Sequence, residues 1–325
     1  MLRSFLLYFS QANWARRLVT QWDFARRAAS RFIAGETLED AIQVVKSLNS
    51  KNINATLDHL GEHTSNLDEA RQATDHILKI LEQIELEGVK SNVSIKLTQI
   101  GLALDRDVCA KNLIEILMFA KKNNTFVRID MEDSQWVETT LDLFSSAIDQ
   151  CSCENVGIVI QSYLYRSEKD VSKLLEMGSR IRLCKGAYME PEEIAYPKKS
   201  DVDANFDRLV ELLVSGSFSN GTPTISEDGK IPPIPAIATH DEKRIEVTKQ
   251  HIKVTGLPKT AIEFQMLHGI RRDLQDSLAA EGYPVRVYVP YGSEWYPYFT
   301  RRLVERPANL WFFLSNLLRV YPDFI

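Results

Sequence analysis

From Asn52 onward, short runs rich in β-branched residues alternate with longer stretches in which apolar residues recur every three or four positions. The runs are INATLD, NVSIKLT, FVRIDM, VGIVIQ, RIRLCK, IPAIAT, AIEFQ and PVRVYV, eight in all. Helical periodicity follows each of them, near residues 66–87, 107–123, 134–149, 168–177, 201–218, 241–254, 271–281 and 294–306. Strands that read as almost continuous Val, Ile and Leu are buried on both faces, as in a parallel sheet. Strand then helix, eight times over, predicts an α/β fold closed into a (β/α)8 TIM-like barrel, with an open doubly wound sheet as the alternative. Ahead of it, residues about 2–32 and Thr37–Ser50 have helical patterns, and Thr37 with Asp40 has the spacing of a capping box. The expected organisation is one domain overall, an N-terminal helical segment over 1–50 packed on a barrel over 51–325. Ser215–Pro235, rich in Gly, Ser and Pro, reads as a surface loop before the sixth strand.

In such a barrel chemistry collects at the C-terminal ends of the strands. Here those ends carry Asp58, Lys96, Asp130 with Glu132, Gln161, Arg182 with Lys185, His240, and Gln265. A polar group at the same end of nearly every strand predicts a ligand site there. A second feature lies in the last predicted helix, where Tyr298, Arg301, Arg302 and Glu305 fall at i, i+3, i+4 and i+7 on one face. Two adjacent guanidiniums suit a bidentate grip on a carboxylate or phosphate, with Glu305 one turn beyond Arg301 to hold its fork. The ligand is therefore expected to be an anion.

Composition narrows the class. With 44% hydrophobic residues over 325 positions the chain can bury a large core. A net charge of -5 and no basic block speak against nucleic acid as a partner. Four cysteines without Cys-x-x-Cys spacing suit a reducing compartment, the cytoplasm. The opening MLRSFLLYFSQANW lacks a cleavage site and the length to span a bilayer, so it reads as an amphipathic helix. None of the 14 glycines forms a G-x-G pair and no P-loop is present, so a nucleotide must bind by another route. Asp130, Glu132, His240 and Glu263 are candidate metal ligands, but Lys96, Arg182, Lys185, Arg301 and Arg302 crowd the same mouth with positive charge, so no metal is expected.

The motifs RLCKGAY at 182–188, VSIKLTQIGL at 93–102, FVRIDMEDS at 126–134, IVIQSYLYRSEKD at 158–170, IATHD at 237–241, EFQMLHGI at 263–270 and YVPYGSEWYPYFTRRLVERPAN at 288–309 together resemble proline dehydrogenases, most of all the compact bacterial monofunctional ones. That resemblance implies a distorted (β/α)8 barrel holding non-covalent FAD and oxidising L-proline to Δ1-pyrroline-5-carboxylate, the first step of proline catabolism. It further implies electrons passed to a membrane quinone, peripheral contact at the inner membrane face, and pyrroline-5-carboxylate dehydrogenase as a partner for the product. By the same resemblance Lys96, Arg301 and Arg302 hold the substrate carboxylate, and Tyr188, Tyr288, Tyr298 and Leu267 wall the proline ring, with Tyr288 crowding a 4-hydroxyl. Asp130 and Arg182 are the implied catalytic pair, Arg182 on the N5 side of the isoalloxazine. Met131, Gln161, Arg182, Lys185, Gly186, Ala187, Thr239, His240 and Gln265 match cofactor-binding positions, with Lys185 serving a pyrophosphate oxygen. Cys184 reads as a small hydrophobe. An ion pair between Glu62 and Arg301 is expected to close the mouth over bound proline, and the 215–235 loop to shift the surroundings of the adenosine half of FAD. Two other readings stay open: a metal-dependent barrel aldolase using Asp130, Glu132 and His240, and a non-enzymatic amino-acid-binding module using the arginine clamp alone.

Overall fold

The structure, a computed structural model, describes residues 29–61 and 64–305, and for 301–305 the backbone alone. The helix expected over about 2–32 falls almost entirely outside the described residues. Eight parallel strands close into a barrel in which each pairs with the next and the last with the first. In chain order the elements are α1 (Leu38–Asn49), β1 (Asn54–His59), α2 (Leu67–Leu86), β2 (Ser91–Ile95), α3 (Arg106–Lys122), β3 (Val127–Ile129), α4 (Ser134–Cys151), β4 (Val156–Gln161), α5 (Ser167–Glu176), β5 (Arg180–Cys184), α6 (Lys199–Ser219), β6 (Pro235–Ala238), α7 (Glu242–Thr255), β7 (Glu263–Leu267), α8 (Arg272–Ala280), β8 (Val285–Tyr291) and α9 (Trp295–Glu305). Every expected strand and helix within these residues forms, with ends shifted by up to three positions.

Local chemistry sets the helix starts. Thr37 and Asp40 make the reciprocal capping box, the Asp40 N–H donating to Thr37 Oγ1 at 3.1 Å and the Thr37 N–H to Asp40 Oδ2 at 3.3 Å. Asn66, Asp105 and Asp241 accept from the first-turn N–H groups of α2, α3 and α7.

The strands divide their residues by face. Ile158, Ile160, Ile181, Leu183, Val287 and Val289 join the helices in one continuous apolar shell. Alternate positions point into the barrel, and there the side chains are polar: Ser94 and Arg128, then Arg182, Gln265 and Arg286, all buried. The hydrophobic core is thus the layer between strands and helices, while the barrel interior is a column of charges and amides.

α1 packs outside β1 and β8. The helix after β8 instead joins a second apolar cluster, in which Trp295, Tyr296, Tyr298 and Phe299 of α9 meet Phe32, Ile33, Leu60 and Ile270. With Leu60 and Ile270 both following strand ends, α9 lies at the C-terminal mouth and brings Tyr298 to it. This is the distortion of the ideal barrel.

The loop expected over Ser215–Pro235 needs two corrections. Its first residues continue α6 as far as Ser219, and Pro235 opens β6. The remainder covers the N-terminal floor of the barrel, because the Gly229 carbonyl accepts from Arg286 Nη2 at 2.6 Å and the Lys230 carbonyl from Asn92 Nδ2 at 3.0 Å. A loop that leads into a strand belongs to the strands' N-terminal side, so it cannot shape a site at the opposite end.

Candidate active site

The C-terminal mouth opens into a cavity of about 560 Å³. Its polar centre is Asp130, just beyond β3. Asp130 Oδ1 accepts from Ser94 Oγ at 2.7 Å and from Arg182 Nη1 at 2.8 Å, and Oδ2 accepts from the Tyr288 hydroxyl at 2.7 Å. The Lys96 ammonium sits between two carboxylates, 3.3 Å from Asp58 and 3.8 Å from Asp130. Burial, with the negative charges of Asp130 and Asp58 adding to it, pushes the Tyr288 phenol well above its ordinary value. Tyr288 is therefore a neutral donor whose ring also lies under the Arg182 guanidinium, 5.4 Å from its centroid. Arg182 is fixed twice over, because its Nε donates to Gln265 Oε1 at 2.5 Å while Nη1 holds Asp130 and Ser94.

One wall is the segment after β5. Lys185 Nζ donates to Asp203 at 2.5 Å and Asp241 at 2.7 Å, and Lys199 joins the same pair of carboxylates. Burial alone would raise Asp203 and Asp241, but the lysines lower both carboxyls below their usual range. Gly186 has φ +106, and a Cβ there would lie 2.2 Å from the Tyr163 ring, so the backbone itself faces the cavity. At the neighbouring strand end, beyond β6, His240 Nε2 accepts from the Leu267 N–H at 2.9 Å, which puts the ring proton on Nδ1. Burial pushes the Cys184 thiol up to about 12, so it lines the site as an unreactive group.

These features suit a bulky, flat, partly anionic cofactor. Gln161 donates through Nε2 to the Met131 carbonyl at 3.2 Å, whereas its buried Oε1 has no hydrogen-bond partner among the described residues. An orphaned acceptor at the cavity wall, a glycine backbone open to close approach and lysines beside the mouth match an amide-bearing ring with a phosphate-bearing tail.

Of the residues anticipated from sequence, Lys96, Asp130, Met131, Gln161, Arg182, Lys185, Gly186, Ala187, Tyr188, Thr239, His240, Gln265, Leu267, Tyr288 and Tyr298 all line this one cavity. The side chains of Arg301, Arg302 and Glu305, and all of Glu62, lie outside the described residues, and with them the expected gate. The four candidate metal ligands do not converge. Glu263 is the first residue of β7, fully buried against Arg286 at the floor, and Glu132 is taken by the Thr98 N–H at 3.1 Å and by its hydroxyl at 2.5 Å. Asp58, expected at the site only as a strand end, lines it as well, and the structure adds Lys199 and Asp241, which the sequence did not single out. Asp58 was legible as a strand end, whereas Lys199 and Asp241 enter only because α6 and α7 begin at the rim.

Fold and cavity together are those of a (β/α)8 barrel with a cavity lined by charges and amides at the strands' C-terminal ends, where barrels of this class carry their active sites. The sequence model described as Proline dehydrogenase matches residues 41–313, and the chain belongs to that family. It is 38% identical to Proline dehydrogenase 2 of Bacillus subtilis across 98% of this chain and 99% of that one. Its identity to proline dehydrogenase of Deinococcus radiodurans is 42%, across 90% of both chains. The solved structure of proline utilization A (PutA) from Bdellovibrio bacteriovorus, inactivated by N-propargylglycine, superposes with a TM-score of 0.77 at 26% identity, covering 86% of this chain and 33% of that one. The chain thus spans about a third of that longer protein. It is an oxidoreductase acting on proline in proline catabolism.

Proposed function

We propose that the chain oxidises L-proline to Δ1-pyrroline-5-carboxylate with non-covalent FAD, the first step of proline breakdown, and delivers the electrons to a membrane quinone. The observation that carries this reading is the Asp130–Arg182–Tyr288–Lys96 cluster, which shares one cavity with the orphaned Gln161 carbonyl oxygen and the open Gly186 backbone. Gln161, Met131, the Lys185–Ala187 segment, Thr239, His240 and Gln265 would hold the flavin, which when bound supplies a two-electron acceptor. Lys96 contributes to carboxylate capture, but it is already bracketed by Asp58 and Asp130, so the clamp needs Arg301 and Arg302 as well. Tyr288, Tyr298, Tyr188 and Leu267 exclude water and fix the ring for transfer. Arg182 would present a fixed positive charge to the bound flavin, and Asp130 keeps that guanidinium and the Tyr288 phenol in register.

Bifunctional PutA of Escherichia coli, 25% identical over 87% of this chain and 24% of its own, carries a second activity on one polypeptide. That supports pyrroline-5-carboxylate dehydrogenase as the partner that takes the product. No helix among the described residues is long and apolar enough to cross a membrane, and peripheral contact from the cytoplasmic side is the route we infer to the quinone. The test is the visible spectrum of the purified protein before and after L-proline is added without oxygen. Flavin bands that bleach on addition support the reading, and a protein that stays colourless after FAD is supplied overturns it.

A further inference from the structure

Beneath the mouth, a chain of hydrogen bonds runs down the barrel axis to its floor. Arg182 Nε donates to Gln265 Oε1 at 2.5 Å, and Gln265 Nε2 donates to Glu263 Oε1 at 2.6 Å. Glu263 is held in a two-pronged ion pair by Arg286, Nε to Oε1 at 2.9 Å and Nη2 to Oε2 at 3.0 Å. Arg286 is pinned in turn by the carbonyls of Ala55 and Gly229, both at 2.6 Å. Glu263 and Arg286 are fully buried and neither lines the cavity.

We propose that Glu263 is a positioning residue for Arg182, acting through the sense of the Gln265 amide. A carboxylate paired with arginine only accepts hydrogen bonds, so the Gln265 NH2 must face the floor and its carbonyl must face Arg182. Were the amide reversed, its NH2 would oppose the Arg182 Nε–H, two donors in a buried site, and Arg182 would lose the anchor on that edge. A guanidinium is planar, so the Nε anchor and the Nη1 anchor on Asp130 together fix its plane. A buried ion pair gives little net stability relative to apolar side chains of the same volume, so the floor pair is better explained by the orientation it imposes than by strength. Its consequence for turnover rests on the role proposed above for Arg182.

The test uses the complete flavin-loaded protein labelled with 15N-arginine, following exchange of the Arg182 Nε–H, whose resonance is assigned by its loss in Arg182→Lys. The double variant Glu263→Leu/Arg286→Met removes both floor charges at similar volume, leaving the Gln265 amide without its acceptor. Exchange at Arg182 Nε is expected to quicken at least about tenfold, and kcat to fall about tenfold or more with KM for proline within about twofold. If that variant does not fold, Glu263→Asp carries the same expectation, since it keeps a carboxylate for Arg286 but withdraws it from Gln265 by one methylene. Unchanged exchange in the folded variant overturns the proposal. Faster exchange with unchanged kcat upholds the positioning by Glu263 and instead overturns the part assigned to Arg182 in turnover.

Discussion

At the floor of the barrel Arg286 commits its guanidinium to Glu263, Ala55 and Gly229, and a loop closes over it. At the mouth Arg182 makes bonds through Nε and Nη1, while its Nη2 has none among the described residues. Both arginines are buried, both are paired with a carboxylate, and both project from the inner face of a strand. The difference is saturation: every nitrogen of the floor guanidinium is bonded to protein, whereas the mouth pair sits at a cavity wall with one edge facing the space a ligand would fill. The same chemistry is closed off by protein at one end and open to a ligand at the other. Taking one partner from the floor pair should therefore cost mainly stability, reaching turnover only through Arg182, and altering the mouth should cost activity directly.

The largest effect is expected at the floor. Glu263→Ala leaves Arg286 buried without a counter-charge, and the native state should lose about 3–5 kcal/mol, read as a lower urea midpoint. At the mouth Arg182→Lys keeps the charge but not the planar fork, so kcat should fall about 10²–10³-fold while the unfolding free energy from urea titration falls by about 1 kcal/mol or less. If Arg182→Lys is as unstable as Glu263→Ala, the contrast between the two ends is wrong.

Why the two ends differ was only half legible in the sequence. The strands were plain because burial on both faces leaves runs such as VGIVIQ, and Asp58, Lys96, Asp130 and Gln161 were found by counting to strand ends. Glu263 was misread as a mouth residue because it stands in the same run as Gln265, two positions earlier. Two residues of a strand span about 7 Å, enough to separate the cavity wall from the floor. Arg128 and Arg286 gave no signal, since a lone arginine in a strand reads the same whether it faces solvent or lies in a barrel interior. The floor loop did carry a signal, its place ahead of a strand, which is enough to assign it to the N-terminal end.

A smaller effect separates the ends by pH. His59 closes β1 at the rim, stacked on His76 with ring centroids 3.9 Å apart, and His76 meets the Tyr291 hydroxyl at 2.8 Å. Burial first, then His76 and Lys96, lowers His59 to about 4. The unfolded chain takes up that proton near pH 6.5, so the neutral ring's contribution is complete above about 6.5 and is lost as pH falls towards 4. The loss is on the order of 2 kcal/mol at a partly solvated ring, and His59→Gln should flatten the stability profile between those values. An unchanged slope would take the rim histidine out of the acid response.

The finest comparison is between two glycines. Gly229 at the floor has φ +69 and a Cβ there would lie 2.3 Å from Asn54 Oδ1, while at Gly186 the obstacle is the Tyr163 ring at 2.2 Å. Alanine at either position adopts a disfavoured backbone conformation, costing roughly 1–3 kcal/mol. At Gly229 the further cost of displacing the buried Asn54 amide falls on stability alone, because no ligand surface is involved. At Gly186 the Tyr163 ring is buried and cannot turn, so the 185–187 backbone must move outward into the volume that would receive the cofactor. Gly186→Ala should therefore purify with less flavin per chain than Gly229→Ala at a matched urea midpoint, measured by the ratio of visible to ultraviolet absorption. Equal flavin content in the two variants would mean that the Gly186 backbone is not part of the cofactor's wall.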